Sequence, residues 1–112
     1  MNPESIPQPG QYYFHYKHFT ANTDNDPLYH SYYVIGIAGD AHNDNYDSRA
    51  VIYEPAWSTE HIDEYELTCY SRPLGEFMEE VTLDDETTHP RFTLITEEEL
   101  IQRLEQARKN LN

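Results

Sequence analysis

Alternation of large apolar and polar residues with a period of two runs through most of the chain. In YYFHYKHF (12–19), Tyr12, Phe14 and Tyr16 fall on one side of an extended backbone and Tyr13, His15 and Lys17 on the other. That spacing predicts a first strand, because successive side chains of a strand point to opposite faces. TANTDNDP (20–27) follows as turn chemistry. Residues 28–38 resume with Tyr32, Tyr33, Val34, Ile35 and Ile37, β-branched and aromatic side chains that suit a pleated surface, and predict a second strand. A third covers 49–54, with Val51 and Tyr53 facing one way and Ala50 and Ile52 the other until Pro55 ends it. Strands two and three should pair as a hairpin. Residues 67–71 read as a fourth strand, and RFTLI (91–95) as a closing strand with Phe92 and Leu94 on one side.

Helical spacing is confined to two places. RPLGEFMEEV (72–81) sets Leu74, Phe77, Met78 and Val81 on one face behind a proline suited to a first helical position, with Gly75 limiting the helix to one or two turns. TEEELIQRLEQARKNLN (96–112) carries Thr96 and Glu99 as a capping pair, acids in its first turn and bases in its last. Its apolar stripe is Leu100, Ile101, Leu104, Ala107 and Leu111, the signature of an amphipathic α-helix. MNPESIPQPG (1–10), rich in proline, reads as an extended lead-in, while 55–68 and LDDETTHP (83–90) read as loops. The resulting expectation is a mainly β domain of about five strands over 11–95, curled into one compact barrel, followed by a C-terminal α-helix over 96–112.

Composition narrows this picture. The 112 residues suit one domain. Hydrophobic residues make up 38% of them, but ten are tyrosines, so the core should be aromatic and thin in aliphatics. Formal charge is −14, from 21 acids against seven lysines and arginines, a sign that disfavours direct binding to nucleic-acid phosphate. Three of those seven, Arg103, Arg108 and Lys109, lie in the C-terminal segment, and Lys17, Arg49, Arg72 and Arg91 are scattered. No apolar run reaches the ~18 residues of a membrane span, and the start lacks the pattern of a secretory signal. The single Cys69 cannot close an intramolecular disulfide and reads as a small buried hydrophobe. A cytoplasmic protein with no membrane association is expected.

GDAHNDNYDSRAVIYE (39–54) raises the question of a metal loop. A calcium loop of the helix-loop-helix kind needs a glycine at its sixth position and a carboxylate at its twelfth. Counting from Asp40, those positions hold Asn45 and Val51, and the flanks are strands. For a transition metal, two or more of His15, His18, His42, His61 and His89 would have to converge, with no His-Glu-x-x-His and no cysteine pair to fix them. Asp40, Asn43, Asp44, Asn45 and Asp47 instead suit the tight and left-handed backbone of a long hairpin loop. No metal and no cofactor are expected.

Five strings, in order, carry a resemblance: GQYYFHYK (10–17), YYVIGIAGDAH (32–42), AVIYE (50–54), YSRPLGEFMEEV (70–81) and PRF (90–92). They resemble a bacterial family of small proteins known as domain of unknown function 1653, over most of residues 10–95. The resemblance implies a small SH3-like β-roll and brings no agreed biochemical activity with it. Segment 55–68 looks longer than the family's usual connector, and the acidic C-terminal helix lies beyond the common core. A partner shared by relatives would therefore be altered or replaced here.

Candidate chemistry follows from the matching strings. Arg72 and Arg91, each beside a proline, could clamp an anionic or carbonyl-bearing ligand with forked donors, or could pair with one of the many acids or cap a loop carbonyl. His15 on an aromatic strand could be a base or a packing residue. No Gly-x-Ser-x-Gly and no phosphate-cradling loop is present, so no catalytic residue is assigned, although Glu54 with His15 or Tyr53 could be imagined as a dyad. The expectation is a non-enzymatic module in which Tyr13, His15, Tyr53, Tyr70, Arg72 and Arg91 line a groove for a peptide, protein or small polar ligand. Two alternatives stand beside it: an acidic surface that occupies a basic partner by charge mimicry, and a small enzyme acting on a polar metabolite. The helix stripe at Leu100, Leu104 and Leu111 could dock on the roll or make a homodimer with a second copy.

Overall fold

The computed structural model describes residues 6–20, 27–39, 48–56 and 69–111. In chain order its elements are β1 (Tyr12–His15), α1 (Tyr16–Thr20), β2 (Ser31–Ala38), β3 (Ala50–Pro55), β4 (Tyr70–Pro73), α2 (Leu74–Phe77), β5 (Glu80–Thr82), β6 (Thr88–Pro90), β7 (Phe92–Leu94) and α3 (Glu98–Leu111). Five strands make one antiparallel sheet in the order β4-β3-β2-β1-β7, and β5 and β6 form a separate two-stranded hairpin. The last strand returns to pair with the first, which gives the small β-roll that the family resemblance implies. No hydrogen-bonded pairing joins β4 to β7 among the described residues, so the roll stays open rather than closing into a barrel.

Register divides the aromatic residues between two faces. Tyr13 lies opposite Tyr32 on one side and Leu94 on the other, His15 opposite Phe92, Val34 opposite Tyr53, and Tyr53 opposite Tyr70. This face packs Tyr13, Val34, Val51, Tyr53 and Phe92 against Leu74 and Phe77 of α2. Tyr12, Phe14 and Tyr33 face the other way, where Ala56, Ile95 and Leu104 of α3 complete a second cluster. Burying each large apolar side chain stabilises the fold by about 1.5–3 kcal/mol relative to leaving it exposed, so both helices belong to the fold. The helix stripe is thus used within the chain: Leu104 is fully buried, and Leu100 and Ile101 pack beside it.

Several expectations shift in detail. The first strand ends at His15 instead of continuing to Phe19, so Tyr16 and Lys17 leave the sheet for α1. There the Tyr16 amide donates to the Arg91 carbonyl, the Lys17 amide to His15 Nδ1, and the Thr20 hydroxyl to the Lys17 carbonyl. His18, one helical turn after Phe14, stacks on its ring at 3.7 Å. Alternation alone cannot register such a bend, because aromatic residues satisfy both geometries. In β2 a register shift between Val34 and Gly36 leaves Ile35 as a bulge, 43% exposed, after which Ile37 rejoins the face of Val34.

The stretch read as a loop at 83–90 contains half of the β5–β6 hairpin. Its turn is closed by Leu83 and Thr87, with Asp85 Oδ1 accepting from both the amide and the hydroxyl of Thr87. Polar hydrogen bonding rather than hydrophobic alternation holds it together, so no periodic signal marks it. The capping pair also shifts, since the first helical bond of α3 runs from the Ile101 amide to the Glu97 carbonyl. Pro7 in the lead-in is fully buried and Ile6 packs on the core, while the Gly10 amide donates to the Val34 carbonyl. Leu94, expected beside Phe92, is 40% exposed, while Ile95 is buried in the second cluster on the opposite face. Cys69, expected to be buried, is only half-buried just ahead of β4. The Asp/Asn-rich stretch 40–47 and the irregular segment 57–68 lie outside the described residues.

Candidate functional site

Phe92 is the centre of the aromatic face. It stacks parallel on Phe77 at 4.0 Å and meets Tyr53, Tyr32 and His15 edge-on at 5.5, 5.8 and 5.1 Å. The Arg72 guanidinium lies 5.7 Å from the Phe92 ring centre. Edge-to-face packing of this kind matches the positive rim of one ring to the negative face of the next, and it fixes ring positions. Tyr13, Tyr53, Phe77 and Phe92 are buried, whereas His15, Tyr32, Tyr70, Arg72 and Arg91 are half-buried and form the rim.

The six residues expected to line a groove are all found at this face. Tyr13 and His15 come from β1, Tyr53 from β3, and Tyr70 and Arg72 from β4, all on one side of the sheet by register. Arg91 immediately precedes Phe92. Their convergence follows from the pairing of β1, β3 and β4 within one sheet and from the position of Arg91 just ahead of β7.

Both arginines are tied to α2. Arg72 Nε donates to the Tyr53 hydroxyl at 3.1 Å and Nη1 to Glu76 Oε1 at 2.6 Å. Arg91 Nε donates to the Glu76 carbonyl at 3.0 Å, and its Nη2 lies 3.6 Å from Glu79 Oε2. One residue, Glu76, therefore holds both guanidiniums, through its side chain and its backbone. Of the structural roles weighed for these arginines, the ion pair is present, and the carbonyl that Arg91 caps belongs to α2 rather than to a loop. Arg72 Nη2 makes no bond to a described residue, so its fork retains a donor edge.

His15 sits in positive surroundings. Burial and then the charges of His30, Lys17, Arg72 and Arg91 push its pKa down from the usual value to about 4. The Lys17 amide donates to Nδ1, which places the proton of the neutral ring on Nε2. Burial, joined by the neighbouring Tyr53 and Tyr70 hydroxyls, pushes the Tyr32 phenol upward, so it remains a neutral donor or acceptor. The Tyr32 hydroxyl lies 3.3 Å from His30 Nδ1, and His30 adopts a left-handed backbone with φ of 55°. Sequence reasoning missed Tyr32, His30 and Glu76 here. Tyr32 and Glu76 could have been found only from cross-strand register and from the position of α2 over the sheet.

The imagined dyad of His15 and Glu54 does not form. Glu54 lies opposite Tyr33 on the other face of the sheet, where it pairs with Arg108 of α3. The Arg108 guanidinium also lies 3.5 Å over the Tyr33 ring. Among the described residues no three His, Cys, Asp or Glu side chains stand close enough to hold a metal ion. His42, the one histidine of the candidate metal loop, and His61 lie outside the described residues. Among the described residues no helix is long and apolar enough to cross a membrane.

A family model described as protein of unknown function (DUF1653) matches residues 11–94. The chain belongs to this family. In this DUF1653 chain the match takes in all strands of the sheet and all six candidate residues, and it ends before α3. The aromatic face is thus part of the family unit, while the helix that covers the opposite face lies beyond the match. No curated protein and no solved structure matches the chain.

Proposed function

We propose that the chain is a non-enzymatic recognition module whose aromatic face takes up a peptide or small polar ligand. The observation that carries this reading is the Arg72 guanidinium 5.7 Å from the centre of the Phe92 ring, with His15 edge-on to the same ring at 5.1 Å, in a chain of formal charge −14. Cations are scarce here, and two of the seven, Arg72 and Arg91, are held by Glu76 beside these rings. Rigid aromatics offer contact area at little entropic cost, and a guanidinium held by Tyr53 and Glu76 is already oriented for a ligand. On this reading the fold is an SH3-like roll left open between β4 and β7, in a bacterial cytoplasmic protein.

The test is a panel of short peptides and small polar compounds added to the isotope-labelled full chain, with backbone amide shifts followed by NMR. Ligands should move the amides of His15, Tyr32, Tyr70 and Arg72, and Tyr70→Ser should weaken the response while leaving the fold intact. Binding by basic peptides spread over exposed acids, and lost on adding salt, would replace this reading with the charge-mimic alternative. Shifts confined to α3 and the opposite face would also overturn it.

A further inference from the structure

We infer that Arg72 and His15 form a carboxylate site, in which the ligand's carboxylate oxygens meet the Nη2 edge of Arg72, which has no partner among the described residues, and the Nε2–H of His15 beside the Phe92 ring. The inference rests on the recognition reading above and names the chemical handle the face selects.

Three observations define the handle. First, the donors have fixed directions. Arg72 is held at Nε by Tyr53 and at Nη1 by Glu76, so the guanidinium plane cannot swing, and its remaining edge is the one available to a ligand. Second, His15 accepts the Lys17 amide at Nδ1, and its Nε2 has no partner among the described residues. A neutral ring held in this tautomer is a donor. Third, both donors border the same ring: His15 meets Phe92 edge-on at 5.1 Å, and the Arg72 guanidinium lies 5.7 Å from the centre of that ring.

Charge decides between a carboxylate and a phosphate dianion. Glu76 already neutralises part of Arg72, and Glu79 stands 3.6 Å from Arg91. With His15 neutral at pH 7, the net positive charge left at the patch is small, and the chain as a whole carries −14. A monoanion is accommodated at far less electrostatic cost than a dianion. The planar, two-oxygen shape of a carboxylate also matches a guanidinium edge lying beside flat rings.

The experiment compares N-acetylglycine with N-acetylglycinamide, which differ only in the carboxylate, using the full chain at pH 7 and constant ionic strength. Formate is a third probe, separating a free small acid from a peptide C-terminus. The expected result is saturable shifts at His15, Arg72 and Tyr32 with N-acetylglycine and none with the amide. Formate acting as well as N-acetylglycine would assign the site to small acids, and a requirement for the acylated glycine would assign it to peptide termini, both within the inference. Arg72→Gln should weaken N-acetylglycine about tenfold or more, the usual consequence of losing a charge-assisted hydrogen bond. His15→Phe, which keeps the ring packing on Phe92, should weaken it several-fold and keeps the test decisive if Arg72→Gln unfolds. Equal shifts with acid and amide would overturn the carboxylate inference and leave the recognition face standing. No shift with any of the three probes would overturn it too, with the face itself then judged by the broader panel.

Discussion

Leu104→Ala probes whether α3 is part of the folded core. Leu104 is fully buried against Tyr12, Phe14, Ala56 and Ile95, so truncation removes most of its buried side chain and leaves a cavity between helix and sheet. Alanine is the better helix former, which means that any loss comes from packing and not from helix propensity. A fully buried leucine truncated in this way costs about 2–5 kcal/mol. For a domain of this size, the loss should lower the melting temperature by at least roughly 6 °C. Urea melts followed by far-UV circular dichroism, repeated over a hundredfold range of protein concentration, supply the measurement. Arg103→Ala is the control: its ion pair with Glu99 is largely exposed, and such pairs contribute about 0.5 kcal/mol or less. A loss at Leu104 below about 1 kcal/mol would refute the docked helix. A loss that grows on dilution would mean that the helix packs on a second copy instead.

Further outcomes follow from other contacts. Tyr53→Phe and Arg72→Ala should each destabilise the fold, and a double-mutant cycle should return a coupling of about 0.5–1.5 kcal/mol for their hydrogen bond; a coupling near zero would remove Arg72 from the scaffold of the site. Arg108→Met should lower stability by about 1 kcal/mol or more through loss of the Glu54 pair and the Tyr33 contact, with the deficit persisting in high salt because both partners are half-buried. Acidification should also be informative. His15 has its pKa held down near about 4, so between the unfolded value of about 6.5 and that point the unfolded chain binds a proton that the folded chain does not. The contribution of neutral His15 is complete above about 6.5 and is lost as pH falls toward about 4. His15→Phe should flatten the stability profile across that window, and an unchanged slope would mean that His15 titrates normally.

The candidate site was partly legible before any coordinates. Period-two spacing put Tyr13 and His15 on one face and Val51 and Tyr53 on one face, and pairing confirmed both. The same spacing carried no information about where the strand bends into α1, because Tyr16 and Phe19 are compatible with either conformation. It gave no sign of the bulge at Ile35, since an unbroken apolar run from Tyr32 to Ile35 hides its own phase. The roles of Arg72 and Arg91 were legible only as alternatives, because an arginine beside a proline looks the same whether or not a glutamate waits across the turn.

Sequence by itself determined a mainly β chain with an amphipathic C-terminal helix, since side-chain periodicity and capping residues act over a few neighbours and need no fold to express them. Only the tertiary structure decided that β7 returns to β1, that α3 covers one face and α2 the other, and that Glu76 orients both arginines. These are contacts between residues far apart in the chain. They depend on register and closure, in which a shift of one residue turns every side chain to the opposite face.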